Sequence, residues 1–320
     1  MVTDTRRSRA SAHGGPRVVF LGMRGEFSRL PLTALLDAGV DVRAVLVPGE
    51  GDDTAPTDAP ALQRLIYQPP PRSTLPLLTR THEPSIITLA WEHGIPVLAP
   101  RRGRNAAVAP ALAAYQADGL CVACWPRRLP ASLLALPRLG CLNLHPSLLP
   151  AHRGPAPLFW TLRHGDAQAG VTVHLMDATL DGGDILTQAD IALADGMTGA
   201  ELERRCAEVG GHLMAETLAA LAAGTAQRMP QPAGAGSYEP WPKFKDLVVR
   251  GNRSARWAFN FIRGAAHWAG PMLIAVAGNR FGVRAALDYT SDGRVPGGWR
   301  LEGDELWLGC APGVLHVTVD

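Results

Sequence analysis

Lysine is almost missing from this chain of 320 residues: Lys243 and Lys245 are the only two among 31 basic side chains, and the rest are arginines. That skew reads as a composition bias of the genome. Basic and acidic side chains nearly balance, at a formal net charge of +2, so overall charge gives no support to a nucleic-acid binder. Cysteine is scarce too, and Cys121, Cys124, Cys141, Cys206 and Cys310 form an odd set with no framework spacing. Cys121 and Cys124 lie three apart in a strand-like run, on opposite faces, which argues against a metal clamp or a bridge. The five read as small buried side chains in a reducing cytoplasm, where the chain is expected to reside. No apolar run approaches the roughly 18 residues of a membrane span. Met1 to Pro16 is rich in Arg, Ser and Gly and lacks an apolar core, so it reads as a disordered tail (residues 1–16) rather than a signal peptide. What is present is core-forming material. With 47% apolar and 19% charged residues, a disordered or fibrous chain is excluded. The length suggests about two domains.

Arg17 to Gly22 (RVVFLG) reads as a buried strand, Leu30 to Ala38 as a helix capped by Gly39, and Asp41 to Val47 as a second strand. Strand, helix and strand in that order imply a parallel sheet. Pro48 to His93 reads as one long loop, functional or mobile. Strands are then expected at Ile95–Leu98, Gly119–Cys124, Gly140–Leu144 and Val171–Met176, with helices at Ala106–Tyr115, Ala131–Leu136 and Leu158–Arg163. A longer helix starts at Thr198, whose spacing to Glu201 is that of a capping box, and ends at Gly224. From about Pro240 the character changes, to a helix at Ser254–Arg263 and strands at Met272–Ala277, Phe281–Leu287, Glu305–Cys310 and Val314–Val319. The expected fold is a Rossmann-like, mostly parallel α/β sheet over 17–230 and a linker over 231–244. A smaller C-terminal β-rich domain, for which an OB-like barrel is one arrangement, follows over 245–320. The turn after the first strand, Gly22-Met23-Arg24-Gly25-Glu26-Phe27, is no GxGxxG fingerprint and counts against an NAD enzyme.

The chemistry concentrates in two stretches. In Gly140 to Pro157 (GCLNLHPSLLPAHRGPAP), Asn143 and His145 are two apart on a strand and point the same way. Pro146 stops the ladder, which puts the pair at the carboxyl end of a parallel strand, where open α/β sheets bind ligands. In Val171 to Leu186 (VTVHLMDATLDGGDIL), a strand holding His174 runs into a loop with Asp177, Asp181 and Asp184, and Gly182 and Gly183 let that loop bend. Asn, His and Asp suit acyl transfer to an amine. An amide N–H from Asn143 and an imidazolium at His145 stabilise an oxyanion, His145 moves protons near neutral pH, and Asp181 orients the imidazole, directly or through a water, and favours its protonated form. No Ser or Cys nucleophile is needed. Plainer readings compete at other positions. His174 is either a buried strand histidine or part of the site, Arg153 fixes the turn, Ser147 caps the Leu148-Leu149 turn, and His152, His164 and His267 are surface residues. The aromatic run Trp257 to Trp268 is packing.

These stretches resemble the formyltransferase family that includes methionyl-tRNA formyltransferase, glycinamide ribonucleotide formyltransferase and the amino-sugar N-formyltransferases. The family pattern of Asn-x-His, Ser-Leu-Leu-Pro, Arg-Gly and a later Leu-Asp-x-Gly loop is matched by Asn143-Leu144-His145, Ser147-Leu148-Leu149-Pro150, Arg153-Gly154 and Leu180-Asp181-Gly182-Gly183. The likeness extends, more weakly, over about residues 17 to 225. It implies a catalytic triad of Asn143, His145 and Asp181, a 10-formyl-tetrahydrofolate co-substrate and no metal. It also implies that Ser147, Leu148, Leu149 and Pro150 line the donor site, with backbone near Leu129-Pro130 and the loop from Met176 to Asp181, including Asp177 and Leu180, around the pterin. Arg128, with Arg127, would attract an acidic donor tail.

The amine acceptor divides the family. A tRNA enzyme of this kind carries a Lys/Arg-rich insertion after the second strand to meet the RNA backbone, whereas here the segment begins Gly49-Glu50-Gly51-Asp52-Asp53. Arg250, Arg253, Arg256 and Arg263 form only a modest basic stripe. A small-molecule amine (an amino sugar, an amino acid or a specialised metabolite) is therefore favoured as acceptor. Methionyl-tRNA is the alternative, and a formyl-tetrahydrofolate hydrolase the second alternative. A homodimer is left open.

Overall fold

The computed structural model describes residues 15–49, 59–67, 84–101 and 103–320. The expected tail up to residue 14 and the acidic stretch 50–53 lie outside the described residues. In chain order the elements are β1 (Arg17–Gly22), α1 (Glu26–Asp37), β2 (Asp41–Leu46), β3 (Leu62–Leu65), α2 (Ile86–Glu92), β4 (Val97–Pro100), α3 (Asn105–Ala113), β5 (Gly119–Ala123), α4 (Ala131–Leu134) and β6 (Cys141–His145). They continue with α5 (Pro157–His164), β7 (Gln168–Leu175), β8 (Ile185–Ala192), α6 (Gly199–Ala223), β9 (Val248–Val249), α7 (Ala255–Ala269), β10 (Met272–Val276), β11 (Asn279–Thr290), β12 (Trp299–Glu302), β13 (Glu305–Gly309) and β14 (Val314–Val319).

The first sheet has the order β3-β4-β2-β1-β5-β6-β7-β8. Its centre, β4 through β6, is parallel, as the alternation of strands and helices requires, and β3, β7 and β8 run antiparallel at the flanks. Val18 to Leu21 are fully buried because helices cover both faces of a parallel sheet. On β6, Leu142 and Leu144 enter the core shared with α1 and α6, while Cys141 joins the opposite core with α3 and α4. Asn143 and His145 share the Cys141 face. Helix α6 starts at the expected capping box, Thr198 with Glu201, and ends at Gly224 in the left-handed region.

Three sequence expectations need correction. Pro48 to His93 is not one loop, since β3 lies within it and Ser85 caps α2 through a reciprocal bond with Thr88. β8 was not anticipated because it is the edge strand beside β7, bridged on its outer side only by Ile185 to Met229 among the described residues, and its side chains alternate polar, as in Gln188 and Asp190. Cys124 is exposed, in the turn after β5, while Cys121, Cys141 and Cys206 are buried. Burial pushes the Cys121 thiol up to about 12, which leaves it inert.

The second sheet has the order β12-β13-β14-β11-β10-β9, antiparallel except for β9 with β10. Helix α7 packs between it and the first unit, with Trp257 and Phe261 buried and Phe261 edge-on to Phe159 at 5.5 Å. The arginines of the basic stripe serve this seam. Arg253 donates to the carbonyls of Arg163 and His164 and lies 4.0 Å over the Trp257 ring. Arg256 Nε donates to Asp195 Oδ1, which also accepts from Asn260, while Asp195 Oδ2 accepts from the Tyr289 hydroxyl. Arg263 donates to the carbonyl of Gly196. No helix among the described residues is long and apolar enough to cross a membrane.

Candidate active site

β6 ends at His145, and its antiparallel neighbour β7 sets His174 directly opposite Asn143. The loop after β7 leaves beside Leu142 and folds back across that face, which brings Asp181 to both imidazoles. Asp181 Oδ1 is 3.8 Å from His145 Nδ1 and 3.8 Å from His174 Nε2. Neither separation is a hydrogen bond, but both are short enough for the carboxylate to attract a proton or positive charge on either ring. The structure thus brings together three sequence-predicted residues, Asn143, His145 and Asp181, with His174 as a fourth.

Backbone constraints hold the loop. Asp181 is itself in the left-handed region at φ 53°. Its Oδ2 accepts the Gly154 amide at 2.8 Å. Its carbonyl and that of Gly183 both accept from the Gln231 side-chain amide at 2.8 Å, and Gln231 Oε1 accepts two bonds from Arg153. A Cβ on Gly183 would lie 1.9 Å from the carbonyl oxygen of Leu175, so only glycine permits this approach. Arg153 fixes the turn, as expected. Gln231 was not anticipated, since a side chain 50 residues from the loop it holds leaves no local pattern.

The hydrogen bonds fix the tautomers. A carbonyl can only accept, so His145 carries its proton on Nε2 and donates it to the His152 carbonyl at 2.9 Å, leaving Nδ1 turned to Asp181. His174 Nδ1 donates to the Leu175 carbonyl at 2.9 Å, and its Nε2 accepts one Asn143 amide hydrogen at 3.0 Å. The second amide hydrogen of Asn143 is available to the site. His174 is therefore both things the sequence allowed, a buried strand histidine and the residue that orients Asn143. Burial first, then the neighbouring His145, pushes His174 down to about 4 from an ordinary 6.5. Between those values the unfolded chain binds a proton that the folded chain refuses. The contribution of neutral His174 is thus complete above about pH 6.5 and is lost as pH falls toward 4, up to about 3 kcal/mol. Urea unfolding of wild type and His174→Gln from pH 4 to 7 should show the wild type losing more stability on acidification. Parallel curves would refute that assignment.

The donor-side residues divide. The Ser147 hydroxyl donates to the Ala151 carbonyl at 2.7 Å, and the Thr172 hydroxyl joins the Ser147 carbonyl to the Leu149 amide. The Leu149 carbonyl accepts from Gln188, and the Pro150 carbonyl accepts from the Ser237 amide. Leu148 packs on Gly170. Ser147 and Leu149 are buried, so the side chains of this turn serve the turn itself. Leu129 and Met176 enter the same apolar cluster as Cys141, so the two segments assigned to the pterin meet on the face that carries Asn143. Arg128 is exposed beside Leu129. Asp177 accepts the Thr179 amide at 2.7 Å and shapes the loop that ends in Leu180 and Asp181. An apolar wall, an exposed guanidinium and a free amide N–H suit a flat heterocycle with an acidic tail.

His152 and His164 are not the lone surface residues expected. His152 is buried, bonded to Asp166 Oδ2 at 2.6 Å and stacked on His164 at 5.6 Å. His267, which lies 3.4 Å from Glu203, is not alone either.

Comparison with known proteins points the same way. Residues 17–218 match the family model described as formyl transferase. The chain is 32% identical over 304 residues to a methionyl-tRNA formyltransferase of Geobacter metallireducens, covering 95% of this chain and 90% of that protein. It is 34% identical over 254 residues to one of Pelotomaculum thermopropionicum, covering 79% and 74%. Its fold is similar to that of an N-formyltransferase from Helicobacter canadensis solved with folinic acid and dTDP-3-aminofucose. The TM-score is 0.65 at 13% identity, over 94% of this chain and 98% of that one.

Proposed function

The chain belongs to the formyl transferase family, and from that premise we propose that it carries the formyl group of 10-formyl-tetrahydrofolate to the α-amino group of methionyl-tRNA. Formyl transfer and the folate donor come with the family. The observation that carries the acceptor is the 32% identity to a methionyl-tRNA formyltransferase along 304 residues, through both sheets. This reverses the preference drawn from the sequence, which rested on an acidic stretch whose residues 50–53 lie outside the described residues and on the modest size of the basic stripe.

The site residues take roles that their geometry supports. The donor supplies an electrophilic formyl carbon bonded to a nitrogen that leaves. Asn143, held by His174, directs its remaining amide hydrogen at the formyl oxygen, where negative charge grows as the amine attacks. His145 keeps its Nε2 proton on the His152 carbonyl, so Nδ1 takes the proton that the attacking amine sheds. The imidazolium so formed faces Asp181, and the proton then passes to the leaving nitrogen. The new C–N bond replaces the old one, and no covalent enzyme intermediate is required.

A small-amine acceptor is the second reading, favoured by one observation. Arg253, Arg256 and Arg263, three of the four arginines of the basic stripe, are spent on the seam between the two units rather than offered to phosphates. The deciding experiment follows formyl loss from 10-formyl-tetrahydrofolate with methionyl-charged initiator tRNA, uncharged tRNA and a panel of amines. Transfer to charged tRNA alone supports the proposal. Transfer to a small amine but not to tRNA replaces it with the second reading, and formate release without any acceptor makes the enzyme a hydrolase.

A further inference from the structure

Three separate segments bring imidazoles and a carboxylate together behind the active site. His152 follows the turn after β6, His164 ends α5, and Glu239 lies in the connection to the second unit. The placement is built rather than casual. The chain at 237–239 runs beside 153, with the Arg153 amide donating to the Ser237 carbonyl at 3.0 Å and the Glu239 amide to the Arg153 carbonyl at 2.7 Å. A Cβ on Gly154, at φ 122°, would lie 2.1 Å from the Glu239 carbonyl, so glycine is what lets the two segments touch. Trp160 stacks on His164 at 5.7 Å and donates its indole N–H to the Pro240 carbonyl at 2.8 Å, pinning the helix and the connection together.

Within this frame, His164 Nε2 is 3.1 Å and His152 Nδ1 is 3.8 Å from Glu239 Oε1, and the three atoms lie within 4.8 Å of one another. His152 is 9% exposed, and its Nδ1 is buried with no hydrogen-bond partner. Its other nitrogen donates to Asp166 at 2.6 Å. With the proton on that side, Nδ1 turns a lone pair toward a carboxylate oxygen, an arrangement of two acceptors that a cation between them resolves. A carboxylate behind an imidazole is also the usual support of a histidine metal ligand, which it orients and makes more basic.

We propose that His152 Nδ1, His164 Nε2 and Glu239 Oε1 bind one divalent transition-metal ion of the zinc class, with Asp166 as the support of His152. Two imidazoles and a carboxylate suit Zn(II) and its neighbours and not Mg(II). Bonds of about 2.0–2.1 Å in a tetrahedron place donor atoms about 3.3 Å apart, a value that the 3.1 and 3.8 Å separations bracket. The half-exposed ring of His164 closes the third edge by rotation. The ion would stand one residue's backbone from the reaction, because the carbonyl of His152 holds His145. It braces that carbonyl and takes no part in formyl transfer, so the site stands whatever the acceptor is.

The test uses the untagged full-length chain, dialysed against chelator and titrated calorimetrically with Zn(II), Co(II) and Mg(II). One equivalent of Zn(II) should bind and Mg(II) should not, and the Co(II) form should show the visible absorption of a low-coordinate site. Asp166→Asn should weaken Zn(II) binding by about 10- to 100-fold. His164→Ala and Glu239→Gln should each weaken it by at least as much, and melting curves would show that both variants fold. Absence of stoichiometric Zn(II) binding would overturn the proposal and leave the cluster as a pair of histidine–carboxylate contacts. Binding unchanged in both His164→Ala and Glu239→Gln would overturn it equally, since the metal would then sit elsewhere.

Discussion

Asn143→Ala is expected to lower kcat by about 10²–10³-fold while changing KM for the folate far less. The asymmetry follows from where the amide points. One hydrogen is bound to His174 Nε2 at 3.0 Å, so the group cannot turn to follow the substrate, and the other is fixed where the formyl oxygen gains charge. A donor fixed in that way acts mainly in the transition state, so its removal leaves ground-state binding nearly intact. The substitution also strands the acceptor nitrogen of His174, at a cost of about 1–3 kcal/mol, which melting curves would read separately. Asn143→Asp should be at least as slow, because it places a negative charge where another must form. Single-turnover rates would check both variants, and a rate within tenfold of wild type in Asn143→Ala would remove Asn143 from the chemistry.

The sequence made this pair legible because the signal is local. Asn143, His145 and the stop at Pro146 sit in a few consecutive residues, and the alternation of a strand decides which side chains share a face. The parallel centre of the sheet was legible for the same reason, from strand, helix and strand at short spacing. What the sequence did not disclose depends on distant partners. Asp181 reaches the two histidines because Gly183 passes under Leu175 and because Gln231 bonds the loop from 50 residues away. The glycine pair shows in the sequence as a bend, but neither the close pass under Leu175 nor the bond from Gln231 has a local pattern. His152 and His164 looked isolated because their carboxylates, Asp166 and Glu239, lie 14 and 75 residues from them. The basic stripe of the second unit likewise hid its partners. It was read as a modest surface for phosphates, and with three of its arginines structural it is smaller still. β3 and β8 were missed because strands at the edge of a sheet carry polar side chains and lose the apolar run on which such readings depend, and α2 because its seven residues are too few to show a helical period.

His145→Ala should cost about 10²–10⁴-fold in kcat, the range of a positioned proton-transfer group, and the more telling substitution is His145→Gln. Glutamine can still donate an amide hydrogen to the His152 carbonyl, which the imidazole meets at 2.9 Å, so it preserves the bond that fixes the turn. It cannot accept and then return a proton at the position of Nδ1. If His145 serves chiefly as a brace, His145→Gln should recover most of the activity lost in His145→Ala. If it moves the proton of the attacking amine, the two variants should be equally slow although the glutamine form keeps wild-type stability. Asp181→Asn adds the complementary measurement. The carboxylate stands 3.8 Å from Nδ1 and holds Gly154 through its other oxygen, and an asparagine can keep that backbone bond through its amide oxygen. It cannot pair with the imidazolium formed during transfer, so kcat should fall by about 10² or more with the fold intact. In a double-mutant cycle, His145→Gln and Asp181→Asn should be far from additive, since two groups that act on one proton lose most of their joint effect at the first substitution. Additive losses would separate them and leave Asp181 with the loop alone.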